Sequence, residues 1–255
     1  KNKKMNGISI EQAIMELEKS PKKINIILGN CYDDIKLLGE FLELLESNTS
    51  LIELCLDSEY IAIEEMMFTI DNAIAEMIKK NKTLKTIIFL ARMFSRIVFL
   101  EKFADALKEN ETINTTHFIS CAFNIYELDF LCGAISKNKN ITRFEISSNL
   151  FGFHTGHCEA ISTLLKQTKT LTVLNLENNQ IMTKGFEIIS TAFAQNKTLE
   201  KLYSGFNIID ERKSILISQS LMLNNHLKEL HLNNSRIYSE GCRAISSFIQ
   251  KTKKL

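Results

Sequence analysis

One apolar pattern, Leu-x-x-Leu-x-Leu, returns along this chain at nearly constant spacing. Its clearest copies begin at Ile141, Leu171, Leu199 and Leu227. Counted from the first apolar position, repeats begin near residues 21, 51, 84, 113, 141, 171, 199 and 227, at intervals of 28 to 33 residues. A chain with such a period folds by stacking similar units on one another, so the pattern strongly limits the possible architectures.

A second pattern precedes the repeats in the same register. Asn81-Lys82-Thr83-Leu84 and Asn196-Lys197-Thr198-Leu199 are two examples, and related segments precede four further repeats. Two independent patterns that agree in register argue against coincidence, and they fix the numbering of positions within a repeat.

Each repeat is predicted to contain one strand followed by one helix. Positions four and six are apolar, as Leu174 and Leu176 are, and this alternation is typical of a strand buried on one face. Farther along the same repeat, Phe186, Ile189 and Phe193 recur at helical spacing. Neighbouring repeats are therefore expected to align their strands in a parallel sheet.

Polar residues at fixed positions are expected to close each turn. Position nine is Asn in three repeats, at Asn149, Asn179 and Asn207, where a short amide can bind backbone groups of its own turn and of the next repeat. Thr183 and Ser239 precede helical segments and are predicted to cap them.

These motifs resemble the ribonuclease-inhibitor-like class of leucine-rich repeats, in which units of about 28 residues pair a short strand with a full helix. The resemblance implies an α/β solenoid shaped as a right-handed horseshoe, with parallel strands on the concave face and helices on the convex face. We expect a single domain over residues 1–255. Residues 1–20 are interpreted as a partial repeat, with a helix over 10–19 that lacks a preceding strand.

The charge balance argues against nucleic acid or an anionic membrane as the partner. Lys and Arg number 31 against 30 for Asp and Glu, so the net charge is +1. The sequence contains no long apolar run and no signal-peptide core next to its basic amino terminus. The six cysteines are scattered among the repeats, which favours reduced thiols and a cytoplasmic location.

The predicted concave face carries the candidate binding residues. Side chains at strand positions three, five, seven and eight are expected to project from the sheet rather than into the core. Near the carboxyl end this face mixes charge with two aromatic residues, which is typical of a protein-binding hot spot, although the same residues suit a solvated surface. The candidate partner-binding residues are Arg143, Glu145, Glu177, Lys201, Tyr203, Phe206, Glu229 and His231.

A second candidate surface lies nearer the amino end. Ile27, Leu28, Ile88, Leu90 and Ile119 occupy outward positions if the register is regular, and an exposed apolar patch of this kind often marks a partner site. Irregular strands or a capping element would instead bury these residues as core, and the sequence leaves both alternatives open.

Catalytic and metal chemistry finds little support in the sequence. His154, His157 and Cys158 form one tight cluster, but a zinc site needs three or four converging ligands and no second pair follows at a suitable spacing. Cys55 and His117 share a strand position, yet two strand spacings of about 4.8 Å would separate them by roughly 10 Å. We therefore predict no enzyme activity, no cofactor and no bound metal.

The sequence favours a protein-interaction scaffold that binds a folded protein partner on its concave face, as a monomer. The alternative from another class is the substrate-targeting arm of a larger enzyme, such as a ubiquitin ligase or a GTPase regulator. A self-associating structural array ranks below both. The abundance of Lys, Asn and Ile together with this repeat class also resembles a bacterial effector that acts in the cytosol of a host cell.

Overall fold

A computed structural model gives the fold of the chain. It describes residues 7–28, 32–58, 64–90, 97–151, 154–207 and 209–252, and the side chains of residues 28, 32–35, 58, 64–71, 97–99, 251 and 252 lie outside that description. The chain divides into two compact units. The amino-terminal unit comprises Lys1–Cys121 with Asn138–Ile141, and the carboxyl-terminal unit comprises Ala122–Lys137 with Thr142–Leu255.

Strands and helices alternate through the amino-terminal unit. Its elements are α1 (Ile10–Leu17), β1 (Lys23–Leu28), α2 (Tyr32–Ser47), β2 (Glu53–Ser58), α3 (Glu64–Lys80), β3 (Thr86–Leu90), α4 (Ile97–Glu109) and β4 (Thr115–Ile119). The four strands pair in parallel, and Asn25, Cys55, Ile88 and His117 occupy one register position.

The carboxyl-terminal unit repeats the same alternation with shorter strands. Its elements are α5 (Ile125–Lys137), β5 (Arg143–Glu145), α6 (Thr155–Gln167), β6 (Val173–Asn175), α7 (Thr183–Gln195), β7 (Lys201–Tyr203), α8 (Glu211–Leu223), β8 (Glu229–His231) and α9 (Ser239–Thr252). Its strands are also parallel, with Glu145, Asn175, Tyr203 and His231 at one register position.

These elements confirm the predicted α/β leucine-rich repeat solenoid. Every strand begins two residues after the predicted start of its repeat, so the numbering of positions read from the sequence is the register of the sheet. The alternation has the expected effect on burial in β7, where Leu202 is buried between the half-buried Lys201 and Tyr203, whereas Asn175 at an outward position of β6 is buried. Phe186, Ile189 and Phe193 lie on the buried side of α7, also as predicted.

The position-nine asparagines form a column of hydrogen bonds inside the carboxyl-terminal unit. The Asn207 side-chain amide donates to the carbonyl of Ser204 in its own turn, at 3.1 Å, and to that of Leu176 in the preceding repeat, at 2.8 Å. Its oxygen accepts from the backbone N–H of Asn179 at 3.0 Å and of Ile181 at 3.1 Å. The structure thus confirms that the amide satisfies its own turn, but the repeat it reaches is the preceding one.

A second column uses the asparagines that open the other sequence pattern. Asn196 follows α7; its amide donates to the carbonyl of Leu165 at 2.7 Å, and its oxygen accepts from the backbone N–H of Leu199 at 2.7 Å. In the amino-terminal unit, Asn81 likewise donates to the Leu45 carbonyl at 2.6 Å. The conserved geometry of these bonds explains why the two patterns keep one register.

Two predictions about helix starts are wrong in detail. Thr183 is the first residue of α7, the cap position is Met182, and no side chain caps that helix. Ser239 likewise begins α9 instead of preceding it. Helix α1 lies within the predicted segment 10–19 and ends at Leu17, and before it Ile8 pairs with Ile26 of β1 in an isolated parallel bridge.

Candidate functional site

The candidate residues of the carboxyl-terminal unit lie mainly on the outward face of β5, β7 and β8. Tyr203 and His231 are partners in the register of β7 and β8, and their rings stack with centroids 4.3 Å apart and planes inclined by 13°. The guanidinium carbon of Arg143 lies 5.9 Å from the centre of the Tyr203 ring, within the range of a cation–π contact. The structure therefore brings three of the predicted residues into one continuous stack.

Ion pairs border this stack. Lys201 contacts Glu229 at 2.7 Å, Glu229 lies 3.7 Å from His231, and Arg143 lies 3.6 Å from Glu145. The hydrogen bond with Glu229 raises the pKa of Lys201, and the same bond lowers the pKa of Glu229. Both groups stay charged near neutral pH, so the face presents fixed charges of both signs.

The other two predicted residues belong to turns that follow strands. Glu177 is half-buried, and its backbone N–H donates to the side-chain oxygen of Asn175 at 2.8 Å. Phe206 is 45% exposed and has a φ of 55°, in the left-handed region that bulky side chains rarely adopt. Glu177 follows β6 in the chain and Phe206 follows β7. Their place in a partner-binding surface stays a prediction.

Sequence reasoning overlooked the polar residues that surround Phe206. Asn178, Asn233 and Asn234 are exposed in the turns after β6 and β8. The signal was present in the sequence, since position eight of the repeat is Asn178 and Asn234 in two repeats while the repeat between them has Phe206.

The apolar patch predicted near the amino end is only partly exposed. Ile27 is 45% exposed, Leu90 and Ile119 are half-buried, and the Leu28 side chain lies outside the described residues. Ile88 was expected on the surface, but it is only 7% exposed. Ile88 keeps the outward register position that it shares with Cys55 and His117, but of the two alternatives that the sequence left open it follows burial, and the patch is interrupted at β3.

The clustered histidines and cysteine have structural roles. The Nε2 atom of His157 lies 3.1 Å from the carbonyl oxygen of Phe123, and its ring stacks on Phe151 at 5.0 Å. Burial lowers the pKa of His157 and raises that of the Cys158 thiol to about 12. A neutral thiol is a poor metal ligand and a poor nucleophile, so this cluster is used for packing.

Cys55 and His117 also lack the geometry of a catalytic pair. They lie at one register position, but β3 with its Ile88 stands between their strands. Burial raises the pKa of the Cys55 thiol to about 12, and the carboxylates of Asp57 and Glu53 add to the shift. Such a thiol is protonated at neutral pH and is not activated for attack.

Two features, a metal-binding cluster and a membrane-spanning helix, are absent from the residues that the structure describes. No group of three or more His, Cys, Asp or Glu side chains is arranged to hold a metal ion there. Nor does that part of the chain contain a helix with the length and apolar character needed to cross a membrane.

Comparison with known proteins identifies the repeat. A family model described as Leucine Rich repeat matches residues 168–187 and 223–246. A search among curated protein sequences finds no match. The two matched segments contain the start of a repeat each, at Leu171 and Leu227, in agreement with the strand register.

Several solved structures share the fold. The leucine-rich repeat-containing protein LegL7 from Legionella pneumophila has a TM-score of 0.54 at 12% identity, over 96% of this chain and 86% of LegL7. A protein from Bacteroides fragilis has a TM-score of 0.52 at 13% identity, over 95% of this chain and 79% of its own. The tropomodulin C-terminal domain from Caenorhabditis elegans has a TM-score of 0.50 at 13% identity, over 60% of this chain and 93% of that domain. At these identities the likeness concerns the leucine-rich repeat fold alone.

Proposed function

We propose that this chain is a protein-interaction scaffold that binds a protein partner on the outward strand face of its carboxyl-terminal unit. The observation that carries the proposal is the stack of Arg143, Tyr203 and His231 on three strands of one sheet. Aromatic and arginine side chains dominate the energetics of protein interfaces, because they combine a large contact area with polar groups at the edge.

The strands hold these side chains in place before any partner arrives. Tyr203 is fixed by its stack on His231, and Lys201 by its ion pair with Glu229. Side chains that are already ordered lose little entropy on docking, so a moderate number of contacts can yield useful affinity. A stable complex would bury about 800 Å² on each side, and we propose that this face, expected to be concave, supplies that area.

The fold supports the scaffold class over an enzyme. Leucine-rich repeats typically serve as scaffolds without catalytic activity, and burial raises the pKa of the Cys55 and Cys158 thiols and so keeps them protonated. The described cysteines are all free, which suits a reducing cytosol. We propose that the protein acts there as a monomer.

Two finer assignments complete the proposal. The repeats are of the ribonuclease-inhibitor-like class, which is supported by complete helices of 13 residues in α5, α6, α7 and α8. The scaffold serves as a bacterial effector in a host cell, an assignment supported by composition alone, and a eukaryotic coding gene would contradict it. The targeting arm of a ubiquitin ligase or GTPase regulator remains the alternative, and a catalytic domain in the same open reading frame would favour it.

A binding experiment tests the scaffold. Partners are first captured by proximity labelling in cytosol, and their affinities are then measured for the wild type, Tyr203→Ala, Phe206→Ala and a control, Lys166→Ala, at an exposed position of α6. An anchor lost at Tyr203 or Phe206 is expected to weaken binding by at least about 1 to 2 kcal/mol, while the control keeps wild-type affinity. Unchanged binding by both variants removes this face from the proposed interface.

A further inference from the structure

Phe206 is an exception among the residues at its position in the repeat. The equivalent residues of the same unit are Ser148, Asn178 and Asn234, with φ values of 62°, 56° and 51°. Short polar side chains such as Asn tolerate this left-handed conformation, whereas a bulky aromatic residue rarely adopts it. Yet Phe206 has a φ of 55° and is 45% exposed, so burial of its ring does not compensate for the unfavourable backbone.

The surrounding backbone holds Phe206 in this conformation. Its N–H donates to the carbonyl of Asn233 at 3.0 Å, and the Asn207 amide donates to the carbonyls of Ser204 and Gly205 at 3.1 and 3.3 Å. A Cβ at Gly205 would lie only 2.7 Å from the backbone carbonyl oxygen of Asn233, so that position requires glycine. The ring therefore projects from a turn that is fixed on both sides.

The surface beside the ring is rich in amides. We define the turn ridge as Asn178, Gly205, Phe206, Asn233 and Asn234. Within the described residues, the side-chain amides of Asn233 and Asn234 make no hydrogen bond, and both residues are exposed. Each amide offers a donor and an acceptor, which match the C=O and N–H groups of a peptide backbone.

We propose that the turn ridge binds an extended, uncharged segment of the partner protein, which places an apolar side chain on Phe206 and hydrogen-bonds its backbone to Asn233 and Asn234. Strain at an exposed side chain is a recognised mark of a functional position. The five ridge side chains are uncharged, and the neighbouring carboxylate, Glu177, belongs to the repeat of β6, two strands from that of Asn233 and Asn234. A charged segment over Phe206 and these two asparagines would therefore be desolvated without gaining an opposite charge. The inference rests on the proposed function and names the feature of the partner that this face recognises.

The chain offers a matched control for this test. Leu150 is also exposed, at 51%, with a φ of 59°, and Gln180 occupies its position in the next repeat with a φ of 55°. Phe206→Asn and Leu150→Gln each replace an exposed apolar residue with the polar residue found in an equivalent repeat. Phe206→Asn relieves backbone strain and alters the turn ridge, whereas Leu150→Gln removes an exposed apolar side chain and leaves the ridge intact.

The probe is a library of random peptides displayed on phage, selected on the complete chain. We expect the selected peptides to share an apolar or aromatic position flanked by uncharged residues. Their dissociation constants should rise at least about tenfold for Phe206→Asn and stay unchanged for Leu150→Gln. The thermal midpoint of Phe206→Asn should equal or exceed that of the wild type, so the loss of binding is not a loss of folding.

Each other outcome overturns the inference. Peptides that bind Phe206→Asn as tightly as the wild type, peptides whose consensus is acidic or basic, or a library without enrichment all contradict recognition by the turn ridge. If Tyr203→Ala weakens the peptides while Phe206→Asn does not, the strand face still binds protein and only the inference fails. If neither variant matters, the proposed function fails with it.

Discussion

Single asparagines join neighbouring repeats through hydrogen bonds. In the second column, the amide N–H of Asn196 donates to the Leu165 carbonyl of the preceding repeat. Its amide oxygen accepts from the backbone N–H of Leu199 and closes its own turn. Buried backbone groups must find such partners, since an unsatisfied carbonyl costs about 1 to 3 kcal/mol. Thr168 occupies the same position one repeat earlier, and its hydroxyl accepts from the backbone N–H groups of Thr170 at 3.4 Å and Leu171 at 3.1 Å.

The substitution Thr168→Asn is expected to stabilise the protein by about 1 kcal/mol, because the new amide can donate to a carbonyl of the preceding repeat. The reverse change, Asn196→Thr, removes the donor to Leu165 and is expected to cost about 2 kcal/mol. Urea unfolding monitored by circular dichroism measures both. If the two variants unfold like the wild type, the amide bonds between repeats do not contribute as described.

Among the elements, α8 is the least typical helix of the carboxyl-terminal unit. Ser214, Ser218 and Ser220 are buried, and each hydroxyl donates to a backbone carbonyl four residues earlier. Lys213 is also buried; its Nζ lies 3.4 Å from the Asn207 carbonyl and 5.7 Å from the Phe186 ring centre. Burial lowers the pKa of Lys213, and the charge of Asp210 opposes that shift only in part.

Replacing this lysine tests the cost of the polar helix. Lys213→Met is expected to raise stability by about 1 kcal/mol at pH 7, because a buried cation is replaced by an apolar side chain of similar length. The pKa of Lys213 in the folded state is below its ordinary value of 10.5. Between these two pKa values the unfolded state binds more protons than the folded state, so the free energy of unfolding of the wild type rises with pH there. The advantage of the variant should shrink as the pH approaches 10.5.

Urea unfolding near neutral pH and at about pH 10 gives this difference. Lys184→Met is the control, because Lys184 is exposed on α7 and should show no comparable narrowing. An advantage of Lys213→Met that is constant with pH would mean that Lys213 keeps its ordinary pKa in the folded protein.

The elements could be predicted from sequence because their signals are local. Alternating burial at Leu174 and Leu176 and the regular return of Asn fixed the strands and their register. The burial of Ile88 could not be predicted from periodicity, because periodicity does not show which outward positions of a sheet are covered by neighbouring side chains. The stack of Tyr203 on His231 could not be predicted from sequence, because it depends on the strand register and on both side-chain rotamers. The positive φ of Phe206 was indicated in the sequence only by an unexpected residue type at its position.

For the whole molecule, the organisation into one domain stays a prediction. Each compact unit contains its own asparagine bonds between repeats, as Asn81 with Leu45 and Asn207 with Leu176 show. In a solenoid, stability is the sum of repeat and nearest-neighbour contributions, so cooperativity depends on how strongly the repeats are coupled. Substitution in either unit can therefore report on the coupling.

We predict that Asn81→Ala and Asn207→Ala each lower stability by about 2 to 3 kcal/mol and shift the same unfolding transition. Circular dichroism is the suitable signal because the chain contains no tryptophan, and hydrogen exchange with mass spectrometry assigns each transition to residues. Two transitions, each shifted by only one of the substitutions, would show that the units unfold as separate domains. The single-domain prediction would then be wrong.

The alternation along each strand separates two kinds of evolutionary constraint. The inward residues Leu174 and Leu202 are partners in the register of β6 and β7, and so are the outward residues Asn175 and Tyr203 at the next strand position. Outward residues can therefore be substituted while the inward residues maintain the packing of the repeats. A framework with this property is well suited to acquiring new specificities, in nature or by laboratory design, without having to reinvent its architecture.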